Sequence, residues 1–231
     1  MITVRQEFET TFAEVDSYFE FIKKIDDGYT HLQNFDGDTF KISIELSAML
    51  KANAYLLLYN VIEATIRNAI WEVFIRIEAE SINYQDLRKE IKEILIGRKI
   101  ELEFKTKDTT VIKQVHDIIE KAFQNSRDLY PPKRDLKISA GSLNTEKIRE
   151  ALKRHGVEDV GTQHTEEKEV FEDTKEKRNN LAHGEITFRA CGSPLSYSDL
   201  EKKKTHIKKY LSRVLDKVEE YLANQQYTII R

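Results

Sequence analysis

Glycine and proline are scarce in this chain, with 8 and 3 among 231 residues. Between them, apolar residues recur mostly at helical spacing, which constrains the chain to a predominantly helical fold. The longest such run starts near Asp38 or Thr39 and reaches about Ala79. It carries Leu46, Leu50, Leu57, Val61, Ile62, Ile66, Ile70, Val73 and Ile77, enough for a long central helix. Upstream, Phe8, Phe12, Val15, Phe19 and Ile22 form one stripe and predict a first helix that ends in the polar turn "DDGYTHLQNFDGD".

From about residue 81 to 160 the periodicity weakens. The stretch is rich in lysine, contains "YPPKRDLKISAGS", and keeps helical patterning only in "VIKQVHDIIEKAF" and "NTEKIREALKRHG". It reads as an inserted, partly irregular α-rich subdomain within a single 1–231 domain whose core is 1–80 and 161–231. In its second helical segment Asn144 is the expected N-cap and Gly156 lies just past the end. A further helix is expected after Gly161, with Thr165 as its cap and Glu166 and Glu167 in the first turn, where the helix dipole favours acids. After the loop "GEITFRACGSPLSY", Ser198 and Glu201 have capping-box spacing. Leu200, Ile207, Leu211, Val214, Val218 and Tyr221 or Leu222 then carry a closing helix to about Asn224.

Charged residues make up 33% of the chain yet nearly cancel, leaving a net charge of -3. That excludes the strongly basic field of a protein that coats nucleic acid without selectivity, so any nucleic-acid contact is local. One cysteine, Cys191, allows neither an internal disulfide nor a cysteine metal cluster, and a reducing, cytoplasmic setting fits best. The N-terminus lacks the basic flank and apolar run of a signal peptide, and Asn60, Glu63 and Arg67 interrupt the most apolar helix, so no membrane span is expected.

The chemistry concentrates in "RNNLAHG", Arg178 to Gly184. A loosely spaced arginine and histidine are weak evidence: Arg149 and His155, with five residues between them where Arg178 and His183 have four, fit such a pattern too, and read as an exposed arginine plus a histidine whose charge suits a helix C-terminus. His183 before Gly184 admits the same reading. Geometry separates the two pairs, because at about 100° per residue Phe171, Thr174 and Leu181 fall within about 60° of Arg178, in the middle of an apolar face. A guanidinium there requires a partner, since an unpaired buried charge is expensive. Asn179 and His183, four residues apart, share one edge beside it, so three polar groups are expected on the inward side. A fixed cation for phosphate charge and an imidazole for proton transfer suit phosphodiester chemistry. On the central helix Asn53, Asn60, Glu63 and Arg67 form a narrow polar stripe, with Glu63 and Arg67 spaced for an ion pair. That stripe reads either as an internal network or dimer seam, or as support for the arginine and histidine.

"RNNLAH", set between a long central helix and a C-terminal helix, resembles the HEPN superfamily. "KANAYLLLYNVIEATIRNAI" and "SAGSLNTEKIREALKRHG" further resemble a subfamily of this length among bacterial defence and toxin genes. The resemblance implies an all-α, HEPN-type helical bundle and a metal-independent endoribonuclease that acts as a homodimer with a composite active site. Carried over, His183 is the general acid or base, Arg178 binds the scissile phosphate, and Asn179 orients the phosphate or the histidine. RNA would be cut by its own 2'-hydroxyl, and DNA would survive. One branch of the family has a modifiable tyrosine two residues after the histidine; Glu185 stands there, so that control is not carried over.

Two other functions stay open: a silent module binding RNA, nucleotide or a partner protein through the same cleft, and a helical assembly or antitoxin subunit. The histidines His31, His116, His164 and His206 are scattered, no pair has metal-ligand spacing with a carboxylate in register, and glycine-rich nucleotide loops are absent, so no metal and no cofactor are expected. A toxin or antiviral effector would have a neutralising or regulatory protein partner. Lys133, Arg134 and Lys137 beside Tyr130, and the run "EKKKTHIKK", are basic clusters that read first as solvated surface.

Overall fold

The computed structural model describes residues 1–103, 136, 142–158 and 164–229. Helix α1 spans Ile2–Asp26 and buries Val4, Phe8, Phe12, Val15, Phe19 and Ile22 along one side. Burying side chains of this size contributes roughly 1.5–3 kcal/mol each, as an upper estimate. The expected polar turn is a small hairpin instead, β1 (His31–Gln33) paired antiparallel with β2 (Thr39–Lys41). Its loop closes because Asn34 Oδ1 accepts the Asp38 N–H at 2.8 Å and Gly37 adopts φ +90°. All of its strand residues are exposed, so no apolar alternation marks the strands.

Helix α2 spans Ile44–Ala79. It starts later than the apolar pattern predicts, because Ser43 is the N-cap, accepting the Leu46 N–H at 3.1 Å, and the hairpin takes the residues before it. Its buried residues, from Ala48 to Ile77, face several directions, and α2 packs against the first helix, the motif helix and both elements that follow. Beyond a single 3₁₀ turn at Tyr84–Asp86, α3 spans Lys89–Glu103 and α4 spans Thr145–Arg154. Asn144 caps α4 as expected, accepting the Lys147 N–H at 2.9 Å. Leu87, Ile91, Leu95, Leu143, Ile148, Leu152 and Val157 join the same hydrophobic cluster as α1 and α2, so both described flanks of the 81–160 stretch are packed into the core. The segment "VIKQVHDIIEKAF" with His116, and the cluster of Tyr130, Lys133, Arg134 and Lys137, lie outside the described residues.

Helix α5 spans Thr165–Ala182 and carries the motif. Thr165 is its first helical residue rather than its cap; His164, in extended backbone, takes the cap position. The loop expected after the motif contains a short helix, α6 (Phe188–Gly192), capped by Thr187. Helix α7 spans Tyr197–Ala223. Its capping box runs from Ser196 to Asp199, two residues before the expected one. The Asp26 carboxylate decides this by accepting the Tyr197 N–H at 2.8 Å, which places that residue in the first turn. No helix among the described residues is long and apolar enough to cross a membrane.

Candidate active site

Helix α5 turns Phe171, Thr174 and Leu181 into the core, and Arg178 falls on that face as its spacing requires. Its side chain is 24% exposed, and α2 supplies the support a half-buried guanidinium needs. The carbon Cζ lies 4.6 Å from the centre of the Tyr59 ring. Nη2 is 3.8 Å from Glu63 Oε2, and Nη1 donates to Asn179 Oδ1 at 3.0 Å. Glu63, spaced for a pair with Arg67, therefore reaches across to the motif. Asn53 and Asn60, from the same stripe, are exposed.

Tyr59 is fully buried, and its ring is held at the far end as well, where its hydroxyl accepts the Leu143 N–H at 2.8 Å. Burial pushes the Tyr59 hydroxyl up to about 12, so it stays protonated across the physiological range. Pattern reading missed this residue, although it lies four positions before Glu63 and so on the same face of α2.

His183 is placed differently from the expectation that three polar groups converge inward. Helix α5 ends at Ala182, and His183 is its C-cap. Gly184 takes φ +73°, with the Glu185 N–H bonding the Asn180 carbonyl at 2.8 Å and the Gly184 N–H bonding Leu181 at 3.3 Å. That is a Schellman ending, and the left-handed residue it demands explains the glycine. His183 consequently stands exposed at the helix end, and its ring has no hydrogen bond or ion pair among the described residues. Arg178 and Asn179 are brought together; His183 shares their helix end but faces solvent.

Ala52, Tyr55, Leu181 and Cys191 form a small second core that clamps this end of α5 between α2 and α6. Further along, the Tyr55 hydroxyl donates to Asp173 at 3.0 Å, and Lys203 Nζ donates to the same carboxylate oxygen at 2.6 Å. These residues border a cleft of about 810 Å³ between α5, α6 and α7. None of Arg178, Asn179 and His183 lines it. Burial raises the Cys191 thiol above its ordinary value, which suits packing rather than nucleophilic work.

The HEPN family model described as HEPN_MAE_28990-like HEPN matches residues 3–227. The chain belongs to the HEPN superfamily. Its all-α architecture agrees with that membership. No curated protein and no solved structure matches this HEPN chain.

Other residues of the sequence reading settle into structural roles. His155, expected as a cation at a helix end, is buried and forced neutral, its value pushed down to about 4 by desolvation. In the basic run of α7, Lys203 pairs with Asp173, Lys204 with Asp16, and Lys208 with Glu9. His206 Nε2 is 3.6 Å from Glu166. Among the described residues no three His, Cys, Asp or Glu side chains gather as a metal-ligand set.

Proposed function

We propose that this HEPN protein is a metal-independent endoribonuclease, serving as a toxin or antiviral effector, in which Arg178 and Asn179 hold the scissile phosphate and His183 moves the proton. The observation that carries the reading is the state of Arg178. It is anchored by Tyr59, Glu63 and Asn179, yet remains partly exposed at a helix end that also bears an exposed histidine. A guanidinium so held offers a fixed fork of N–H donors to phosphate oxygens.

In the reaction the RNA 2'-oxygen loses its proton and attacks the adjacent phosphorus, and the bond to the 5'-oxygen breaks. One fragment ends in a 2',3'-cyclic phosphate and the other in a 5'-hydroxyl, which takes up a proton. Arg178 stabilises the charge that grows on the non-bridging oxygens. His183 serves as the base or acid, for which imidazole is the suited side chain. Two copies facing each other through their motif helices would enclose the exposed His183 and complete the site.

The test is cleavage of mixed single-stranded and structured RNA, with matched DNA, in excess chelator. Wild type should cut RNA alone and leave cyclic phosphate ends. His183→Ala should lose roughly 10²–10⁴-fold in rate while remaining folded. One observation favours a second reading, a silent module that binds RNA or a partner protein: the His183 ring has no orienting partner among the described residues. Saturable RNA binding by folded wild type with no cleavage would establish that reading instead.

A further inference from the structure

We propose that Tyr59 is a positioning residue for Arg178, a role resting on the reading of Arg178 as the group that holds the scissile phosphate. The guanidinium lies over the ring at 4.6 Å. A cation over a ring is held there by the charge on the ring face, and that contact uses none of the guanidinium N–H donors that bind phosphate oxygens. Among the described residues those donors meet only Asn179 Oδ1 at 3.0 Å and Glu63 Oε2 at 3.8 Å. The ring holds the position of the cation, and the two oxygens draw its N–H groups to one side.

A lever of this kind works only if the ring itself cannot move. Tyr59 is fully buried, and its hydroxyl accepts the N–H of Leu143, 84 residues away in sequence. Asn144 then donates from Nδ2 to Glu172 at 2.8 Å on the motif helix. Residues 143 and 144 therefore brace both the ring and α5. Two tasks are combined in one side chain: the ring supports Arg178, and the hydroxyl ties down the start of α4. They are separable by substitution.

The experiment compares kcat and KM for RNA cleavage by wild type, Tyr59→Phe and Tyr59→Leu, and records the Arg178 side-chain N–H resonances of each by ¹⁵N NMR, assigned with Arg178→Lys. In wild type those protons should carry the upfield shift of a group over an aromatic face. Tyr59→Leu should lose the shift and lower kcat roughly tenfold, with a smaller change in KM. Tyr59→Phe should restore both, although it lacks the bond to Leu143 and is the less stable for it.

Wild-type kcat in Tyr59→Leu overturns the proposal, as does an Arg178 spectrum indifferent to the ring. Equal impairment of the Phe and Leu variants also overturns it, since the effect would then run through the hydroxyl and the fold. Failure of the nuclease reading looks different: wild type cuts no RNA while the spectral contrast persists, which supports the positioning of Arg178 and removes only the chemistry assigned to it.

Discussion

Gly192 lies so close to Ala48 that a Cβ built on it would sit 1.7 Å from the Ala48 carbonyl oxygen. No side chain can occupy that space, and the obstacle is backbone rather than a flexible side chain. Gly192→Ala should therefore push α6 away from α2. Overpacking of this kind typically costs about 1–3 kcal/mol, and the rigid neighbour puts this site at the upper end. The denaturant midpoint should fall accordingly. Because α6 helps clamp the end of α5 that carries Leu181, under the proposed function RNA cleavage should fall with it; an unchanged midpoint would show that α6 is held loosely.

Glu167, only 3% exposed, accepts from Arg213 Nη2 with both carboxylate oxygens, at 2.7 and 2.6 Å. Arg213→Ala would leave that carboxylate buried without a cation. Breaking a fully buried pair costs roughly 3–5 kcal/mol. Arg213 is 37% exposed, so screening lowers the expected loss to roughly 2–3 kcal/mol. The double variant Glu167→Gln with Arg213→Ala should recover part of it. Chemical denaturation of Arg213→Ala, Glu167→Gln and the double variant beside wild type, as a double-mutant cycle, measures the coupling.

The core was legible in the sequence where periodicity was strong. Every residue named in the α1 stripe is buried because phenylalanines at helical spacing leave one solution. Helix ends were less legible. Ser196 and Ser198 each have an acid three residues on, and the choice between them rests on Asp26, far away in the chain. The five-residue α6 is too short to show a period. At the site, the need for a partner to Arg178 could be read from its place on an apolar face, and Glu63 from the polar stripe. The exposure of His183 could not: it follows from a helix that stops one residue earlier and a glycine that turns the chain away. The pairing of Tyr59 with Arg178 needed the packing of α5 on α2.

Arg178→Lys tests the geometry rather than the charge. Lysine keeps the cation but lacks the planar guanidinium that lies over Tyr59 and the fork of donors that, beyond its bond to Asn179, has N–H groups to spare. Under the proposed function, kcat should fall roughly a hundredfold or more, while the thermal midpoint stays near that of wild type. A lysine variant with wild-type kcat would show that any nearby positive charge suffices.

His155 makes stability depend on pH. Its Nδ1–H donates to the Ala151 carbonyl at 2.7 Å, and the ring lies 5.6 Å from the Phe74 ring centre, edge to face. Burial pushes its value down to about 4 from an ordinary 6.5, against a smaller raising effect of the Ala151 carbonyl; the charge of Arg154 lowers it further. The folded form therefore keeps His155 neutral where the unfolded chain would protonate it. Above pH 6.5 both states are neutral and the contribution is fully present. As pH falls from about 6.5 to about 4 the unfolded state binds the extra proton, so stability declines; below about 4 both states are protonated and this loss levels off. At about 1.36 kcal/mol per unit, the total is of the order of 3 kcal/mol. Chemical denaturation between pH 4 and pH 7 should show that slope in wild type, and a flatter one in His155→Phe, which retains an aromatic ring beside Phe74. Equal slopes would place the acid sensitivity on other groups and show that His155 gains a charge without leaving the core.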